Sequence, residues 1–171
     1  MELWDIYDRQ RRTTGRFHVR GTPMGRGEYH LTAFVWVFNR QRELLLTRRA
    51  PEKEHYANCW AATGGAALVG ETSLQTVRRE LREETGAVAS ELIPLGPFYP
   101  TCAYSTEVIQ MFLARGLSFG ERELDEDEFL NVFRLPLREL VEKVLNGEIP
   151  DAKTQAAALR VWCMLQEGRL S

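Results

Sequence analysis

Cysteine is scarce in this chain of 171 residues, and long apolar stretches are missing. The three cysteines are an odd number at unrelated spacings, which argues against a disulfide framework or a zinc site and favours the reducing cytoplasm. No hydrophobic run is long enough to cross a bilayer, and the first residues do not resemble a secretory signal. We therefore expect neither a membrane protein nor a disulfide-stabilised secreted one.

Net charge is also small. With 22 basic and 24 acidic residues the formal net charge is -2, which gives no overall attraction to nucleic acid or anionic lipid. Repeats, low-complexity tracts and linkers are absent, and the length suits one domain with a sizeable core. These features predict a single domain over residues 1–171 whose partner is neither a nucleic acid polymer nor a membrane.

The most informative stretch, residues 64–87, reads as a glycine-rich turn, a loop and one amphipathic helix. Thr72 followed by Gln75 fits a capping box at the helix start, and Gly86 fits a left-handed cap at its end. The predicted core-facing positions recur every three or four residues, at Leu74, Val77 and Leu81.

Three glutamates crowd one face of this predicted helix: Glu80, Glu83 and Glu84. Like charges at these spacings repel one another unless something positive lies among them. Arg79 and Arg82 could neutralise part of the charge, and a hard divalent ion such as Mg²⁺ binds oxygen ligands of this kind together with substrate phosphates. Taken alone, the pattern favours a solvated acidic surface.

The register of the whole stretch changes this interpretation. Gly65, Glu71 and the run over residues 79–86 resemble the Nudix box of the Nudix hydrolase superfamily. One position departs, because the family's closing bulky aliphatic residue is Ala87 here. The resemblance implies an α/β fold, a Nudix-type α/β/α sandwich around a mixed β-sheet.

The resemblance also implies a chemistry. Nudix enzymes typically cleave a diphosphate joined to another group X, using Mg²⁺ or Mn²⁺ and an attacking water. The implied metal ligands are Glu80, Glu84, Glu83 and the backbone carbonyl of Gly64. Glu83 is alternatively the general base, Arg79 is expected to hold Glu71 or Glu83 in place, and Glu71 is expected to be structural.

The position of the general base varies across the superfamily, so residues outside the box are candidates too. An acidic loop over residues 116–128 supplies Glu128, our first choice, and Glu107 is the other. A solvated surface explains each of these residues equally well.

Substrate contacts are predicted from basic and aromatic residues. Arg48 and Arg49 end a predicted strand, and Tyr99 lies in a predicted loop. Tyr99, Tyr104 and Trp36 could stack on a nucleobase, or could equally pack in the core or at its edge. The sequence does not choose among nucleoside diphosphate derivatives and prenyl diphosphates.

The segment over residues 1–29 predicts a hairpin, with a strand over 3–7, a turn at Thr13-Thr14-Gly15 and a second strand over 16–20. Six arginines crowd this segment: Arg9, Arg11, Arg12, Arg16, Arg20 and Arg26. They form either a solvated surface or a basic lip over a phosphate-bearing ligand.

Further strands are predicted over residues 31–38, 43–49, 60–63, 90–95, 107–115 and 129–135, with a Gly64-Gly65 turn and a loop of Pro97, Tyr99 and Pro100. Two helices are expected within residues 136–167, the first over 136–146 with Pro136 in its first turn. The second, over 151–166, is expected to bury Ala156, Leu159, Trp162, Cys163 and Leu165. It is also a candidate homodimer surface.

Weaker similarities over residues 1–115 resemble the subgroup related to isopentenyl-diphosphate isomerase. They lie at residues 4–8, 29–31, 46–50 and 60, and they raise a rival function, the movement of a double bond without hydrolysis. The isomerase needs a cysteine and a histidine where this chain has Gly64 and Ala66. Of its upstream histidines only His30 has a match, and a lone histidine is more often structural than a ligand.

A non-catalytic nucleotide-binding module is a third possibility, which the intact set of repelling carboxylates disfavours. The sequence therefore favours a cytoplasmic, Mg²⁺-dependent hydrolase of a small-molecule diphosphate.

Overall fold

The computed structural model describes residues 2–48, 51, 59–101, 103, 105–120 and 131–170. The strands are β1 (Leu3–Tyr7), β2 (Thr13–Val19), β3 (Thr32–Phe38), β4 (Glu43–Arg48), β5 (Trp60–Ala61), β6 (Thr63–Ala66), β7 (Ala87–Phe98), β8 (Ile109–Phe119) and β9 (Asn131–Pro136). The helices are α1 (Ser73–Thr85), α2 (Leu137–Leu145) and α3 (Ala152–Gln166). No helix in the described ranges is long and apolar enough to span a membrane.

Strand β3 organises a mixed sheet because it is paired along both edges. It runs parallel to β8, with Ala33 opposite Gln110, and antiparallel to β6 and β4 on its other edge. β7 pairs with β8, and β5 and β9 pair with β4. The amino-terminal ends of β3 and β8 therefore lie side by side at one end of the strands, next to β6.

Alternation along β3 divides the core into two layers, because successive side chains of a strand point to opposite faces. One face carries Ala33, Val35 and Val37, which cluster with Val77 and Leu81 of α1. The other face packs against α2 and α3 through a cluster that includes Trp36, Phe38, Leu140, Ala157 and Val161. The result is a helix layer on each face of a mixed sheet, which confirms the predicted α/β/α fold class.

Helix α1 begins and ends where its capping residues predict. The Thr72 hydroxyl accepts a hydrogen bond from the Gln75 amide, the Gln75 side chain accepts one from the Thr72 amide, and Gly86 has a left-handed φ of 69°. The prediction that Leu74 faces the core is wrong, since it is 40% exposed. The helix instead buries polar positions beside Val77 and Leu81: Thr76, Glu80, Glu84 and Thr85.

The amino-terminal hairpin forms as expected, but its turn is misplaced in the prediction. Thr13-Thr14-Gly15 belong to β2, and the turn lies over residues 8–12. The Asp8 carboxylate closes it by accepting hydrogen bonds from the amides of Gln10 and Arg12, at 2.8 and 3.0 Å. An Asp side chain bonded to amides two and four residues on is a turn former in its own right.

Two predicted breaks in the sheet are strands instead. Gly64 and Gly65 lie in β6, opposite Phe34 and Ala33, so the predicted turn there is wrong. Pro97 lies in β7 rather than in a loop, opposite Gln110. β8 continues to Phe119, so the first residues of the predicted acidic loop are strand, and residues 121–130 lie outside the described ranges.

The carboxy-terminal helices differ from the prediction in detail. Pro136 is the N-cap of α2 rather than part of its first turn. Asp151 caps α3 as predicted, accepting a hydrogen bond from the Thr154 amide at 3.0 Å. Of the residues predicted to face the interior, Ala156, Trp162 and Leu165 are partly buried against the core, whereas Leu159 and Cys163 are exposed. The most buried residues of α3 are Thr154, Ala157, Ala158 and Val161.

Candidate active site

Arg79 lies at the centre of a carboxylate cluster. Its Nε and Nη2 donate to Glu71 Oε1 and Oε2 at 2.9 and 3.2 Å. Nη1 donates to Glu80 Oε1 at 3.0 Å and to Glu83 Oε2 at 2.9 Å, and Nη2 also donates to the Ala66 carbonyl at 3.0 Å. One guanidinium therefore joins α1, the loop before it and β6, and it contacts both carboxylates that the sequence left as alternatives.

Glu71 and Arg79 stabilise each other's charged forms. Burial would raise the pKa of Glu71, but hydrogen bonds from Arg79 and from the Leu68 amide outweigh it and hold the pKa below its usual value. Burial also disfavours charged Arg79, yet the surrounding carboxylates raise its pKa above the usual range. Glu71 and Arg79 therefore form an ionised clamp at neutral pH.

Two glycines of β6 make room for the cluster. A Cβ on Gly65 would lie 2.5 Å from Glu80 Oε1, so the carboxylate occupies space that any other residue would fill. Gly64 has a φ of 147°, and a Cβ there would collide with the backbone of Ala33 and Phe34. Gly65 thus admits the carboxylate, and Gly64 permits the close pairing of β6 with β3.

The donor chemistry of α1 suits a hard divalent cation. Glu80 and Glu84 are carboxylates one helical turn apart, 9% and 6% exposed, and the Glu83 side chain is 35% exposed. Within the described residues no three His, Cys, Asp or Glu side chains converge closely enough to hold an ion as they stand. Arg79 binds one oxygen of Glu80 and one of Glu83, and thereby fixes the positions of these two carboxylates.

A cavity of about 790 Å³ opens at the starting ends of β3 and β8. Its walls come from the hairpin turn, residues 24–32 and residues 99–108, and include Tyr7, Arg9, Arg11, Tyr29, His30, Tyr99 and Glu107. Thr32 in its wall pairs with Ala66, whose carbonyl binds Arg79. The cavity is therefore linked to the carboxylate cluster through β6 and Arg79, whereas a smaller one of about 470 Å³ lies at the other end of these strands.

His30 lies in the cavity wall, but its ring is packed against Trp4. Its ring stacks on Trp4 with centroids 4.4 Å apart, and His18 lies 5.5 Å from the same indole. Burial and the neighbouring His18 lower the pKa of His30, which Glu107 only partly opposes. His30 is therefore neutral at pH 7, which fits a structural histidine.

The residues predicted to bind substrate differ in where the structure places them. Tyr99 lines the cavity and is 55% exposed, whereas Trp36 is fully buried, so of its two predicted alternatives core packing applies and stacking on a nucleobase does not. Arg48 ends β4, and its side chain lies outside what is described. Three further candidates also fall outside the described residues: Arg49, Tyr104 and Glu128.

One contact near the site was not predicted from the sequence. The Gly70 amide donates to Asp5 Oδ2 at 2.7 Å, and the Val69 amide donates to the Leu3 carbonyl at 3.0 Å. The hairpin thereby braces the loop that carries Glu71. No local pattern signals this contact, because 65 residues separate Asp5 from Gly70.

Several curated proteins are similar in sequence to part of this chain. An uncharacterised Nudix hydrolase of Listeria monocytogenes is 42% identical over 87 residues, 50% of this chain and 52% of the relative. ADP-ribose pyrophosphatase of Bacillus subtilis is 42% identical over 90 residues, 52% and 49% of the two chains. Isopentenyl-diphosphate Delta-isomerase of Klebsiella pneumoniae is 31% identical over 121 residues, 67% and 62%. The chain spans about half the length of the first two relatives.

Two crystal structures share the fold at low sequence identity. A Deinococcus radiodurans protein has a TM-score of 0.68 at 23% identity, covering 93% of this chain and 98% of that one. An ADP compounds hydrolase has a TM-score of 0.64 at 23% identity, covering 91% and 81%. A model of the NUDIX domain matches residues 28–159, which include β6, the Arg79 cluster and most of the cavity wall. Since that match spans most of the sequence, the chain belongs to the NUDIX domain family.

Proposed function

We propose that the protein hydrolyses the diphosphate linkage of a nucleoside-diphosphate derivative or related organic pyrophosphate in a reaction that requires Mg²⁺ or Mn²⁺. One observation carries the proposal: Arg79 links the carboxylates of α1 to the wall of a cavity of about 790 Å³, because it binds Glu80 and Glu83 and also the carbonyl of Ala66, which pairs with Thr32 in that wall. A diphosphate bound between the carboxylates and this wall places its charge beside the carboxylates and its X group in the cavity. Similarity to ADP-ribose pyrophosphatase over half of the chain supports the same substrate class.

Each box residue has a distinct role in this proposal. Glu80, Glu84 and the main-chain carbonyl of Gly64 hold the divalent ion. When bound, the ion offsets the charge of the diphosphate oxygens and lowers the pKa of a water. Glu83 is either a further ligand or the group that accepts the water's proton, and its 35% exposed side chain is accessible to solvent. Arg79 keeps Glu80 and Glu83 in position.

A general base outside the box is the other arrangement. Glu128 is the first candidate and lies outside the described residues. Glu107 is the second, and it lines the cavity beside His30. Substitution of each by Gln distinguishes them, because loss of the base lowers kcat and moves the acidic limb of its pH profile.

The isomerase relationship supports a second candidate function, since 31% identity over 121 residues links the chain to isopentenyl-diphosphate Delta-isomerase. The residues at the site favour hydrolysis. Gly64 stands where the isomerase has its cysteine, and a Cβ there would collide with the backbone of β3. His30 is stacked on Trp4.

Product release across a panel of diphosphates, measured with and without Mg²⁺ or Mn²⁺, tests the proposal. The panel contains ADP-ribose, dinucleotides, nucleoside triphosphates and isopentenyl diphosphate. Metal-dependent cleavage of any member supports hydrolysis. Formation of the allylic isomer from isopentenyl diphosphate would support the isomerase instead, and saturable nucleotide binding without turnover would indicate a binding module.

A further inference from the structure

Two hairpin turns of this chain share a sequence pattern and a geometry. Residues 8–11 read Asp-Arg-Gln-Arg and residues 39–42 read Asn-Arg-Gln-Arg. In each turn the last amide donates to the first carbonyl, at 3.0 and 3.1 Å, and the last residue, Arg11 or Arg42, has a φ of 61°. Glycine or asparagine fits this left-handed position better than arginine, so turn formation alone does not explain the arginines.

The surroundings of the two turns differ. Arg9 and Arg11 line the large cavity, whose wall is linked to the carboxylate cluster through Thr32, Ala66 and Arg79. Arg40 lines the smaller cavity at the opposite end of β3 and β8. The chain therefore contains the same turn twice, once at the candidate active site and once away from it.

Acidic groups in the hairpin wall of the large cavity are already paired. Asp8 forms an ion pair with Arg12 at 2.8 Å, and Glu28 forms one with Arg16 at 2.7 Å. The amides of Gln10 and Arg12 occupy Asp8 further. These two carboxylates therefore do not offset other positive charge in this wall.

Arg9 and Arg11 can bind an anionic ligand in the cavity that they line. Across the ranges that the structure describes, neither guanidinium has a carboxylate within ion-pair distance. Glu107 is the other acidic residue in the lining, and its charge acts on His30. The hairpin side of the cavity is therefore electropositive.

The two arginines are held at the cavity by the main chain. Tyr7 and Tyr29 exchange two backbone hydrogen bonds, at 2.8 and 3.1 Å, which fasten the end of β1 to the segment before β3. Both tyrosines line the cavity, as does Tyr99. Aromatic faces of this kind pack against a nucleobase or a sugar and leave charged groups for the arginines.

We propose that Arg9 and Arg11 form a subsite for a phosphate monoester on the X group, so that the preferred substrate is a diphosphate that carries this additional phosphate. The inference rests on the proposed hydrolysis and names its substrate class. Arginine suits the role because its planar fork donates two hydrogen bonds to phosphate oxygens. The turn lies outside residues 28–159, so the subsite is a feature of this chain beyond the matched NUDIX domain.

Matched pairs of diphosphates that differ by one phosphate monoester test the subsite. NADH with NADPH and dephospho-coenzyme A with coenzyme A form two such pairs. We expect the wild-type protein with Mg²⁺ to have a higher kcat/KM for the phosphorylated member of at least one pair. Arg9→Gln/Arg11→Gln should lower that value by about tenfold or more, mainly through KM, and leave the unphosphorylated member within about twofold.

The second turn supplies the control. Arg40→Gln/Arg42→Gln removes the same charge from the same type of turn and should leave both members of each pair unchanged. An equal loss on both members in Arg9→Gln/Arg11→Gln, or no loss on either, would overturn the subsite. Thermal unfolding of both double variants shows whether the fold is retained.

Failure of hydrolysis is separable from failure of the subsite. If the wild-type protein cleaves none of the four compounds, calorimetric titration with the same compounds decides. Tighter binding of a phosphorylated member that Arg9→Gln/Arg11→Gln abolishes, and Arg40→Gln/Arg42→Gln retains, supports the subsite. Equal affinity for both members of each pair in the wild-type protein contradicts it.

Discussion

Arg79 explains how α1 tolerates two of its neighbouring glutamates, Glu80 and Glu83, beside Glu71. Its guanidinium contacts Glu71, Glu80 and Glu83 at distances between 2.9 and 3.2 Å. A partly buried cation is stable only when its hydrogen bonds are made, and repelling carboxylates are stable only with a cation among them. Each partner therefore depends on the other, and the cluster behaves as one unit.

Glu83→Gln should lower kcat by about two to four orders of magnitude, whether Glu83 acts as base or as ligand. Folding should remain near normal, because the glutamine oxygen can still accept the hydrogen bond that Arg79 Nη1 now donates at 2.9 Å. Steady-state kinetics at saturating Mg²⁺, together with thermal unfolding, check both parts. Turnover near the wild-type value would remove Glu83 from the mechanism.

The two glycines of β6 should respond differently to alanine. Gly65→Ala places a methyl group 2.5 Å from Glu80 Oε1, the mobile end of a side chain, so the fold should persist while the carboxylate is displaced. We expect the Mg²⁺ concentration for half-maximal activity to rise by about tenfold to a hundredfold. A metal titration of activity measures this effect.

Gly64→Ala is the matched comparison, because its Cβ would meet the backbone of Ala33 and Phe34 at a φ of 147°. Backbone cannot move aside as a side chain can, so the free energy of unfolding should fall by about 1–3 kcal/mol. Urea denaturation of both variants measures this difference. Equal destabilisation by the two substitutions would show that Gly65 is not specific to the Glu80 carboxylate.

Among the elements, the hairpin of β1 and β2 acts on the site through the loop before α1. Asp5 accepts a hydrogen bond from the Gly70 amide at 2.7 Å. Glu71 follows directly, and its Oε2 accepts from the Leu68 amide at 2.9 Å. The loop that orients Glu71 towards Arg79 is thus fixed at one end by a residue far away in the sequence.

Asp5→Ala should therefore loosen the loop and destabilise the protein by about 1 kcal/mol, the value of one hydrogen bond. Hydrogen exchange at the Gly70 amide should accelerate, and the Mg²⁺ requirement of the reaction should rise. Asp5→Asn should restore much of both, since its side-chain oxygen can accept the same bond.

Asp8→Ala is the control for this prediction. Asp8 bonds only within its own turn among the described residues, to the Gln10 and Arg12 amides and to the Arg12 side chain. Its loss should affect the hairpin turn and leave Gly70 exchange unchanged. If Asp8→Ala accelerates Gly70 exchange as much as Asp5→Ala does, general loosening of the hairpin explains the result.

Element boundaries were predictable where a local signal sets them. The Thr72-Gln75 capping box and Gly86 fix both ends of α1, because caps satisfy amides and carbonyls within a few residues. β6 was not predictable in this way. Two glycines favour a turn locally, and only pairing with Phe34 and Ala33 makes them a strand.

At the scale of the whole molecule, the order of the elements and the box register predicted the three layers. The carboxylates of α1 were also predictable, because their positions relative to one another follow from helical spacing. The cavity was not, since its walls come from segments as distant as Tyr7, Tyr29 and Tyr99. Leu74 was misassigned because the prediction considered apolar residues alone. The helix also buries Glu80 and Glu84, so its buried face is not the one that the apolar residues define.

Global stability should depend on pH through His30. Burial and His18 lower its pKa below the usual 6.5, so the unfolded chain binds more protons than the folded one between the two pKa values. The free energy of unfolding should therefore fall as pH decreases below about 6.5, before most carboxylates titrate. Urea denaturation at a series of pH values from about 7.5 to 5.5 measures this slope.

His30→Phe isolates the histidine, because phenylalanine keeps an aromatic ring against Trp4, 4.4 Å away in the native stack, and cannot be protonated. The slope of stability against pH should therefore be smaller in the variant, and the variant should lose less stability at the acidic end. Parallel curves for the two proteins would mean that His30 binds protons equally in the folded and unfolded states, so that burial beside Trp4 does not disfavour its charge.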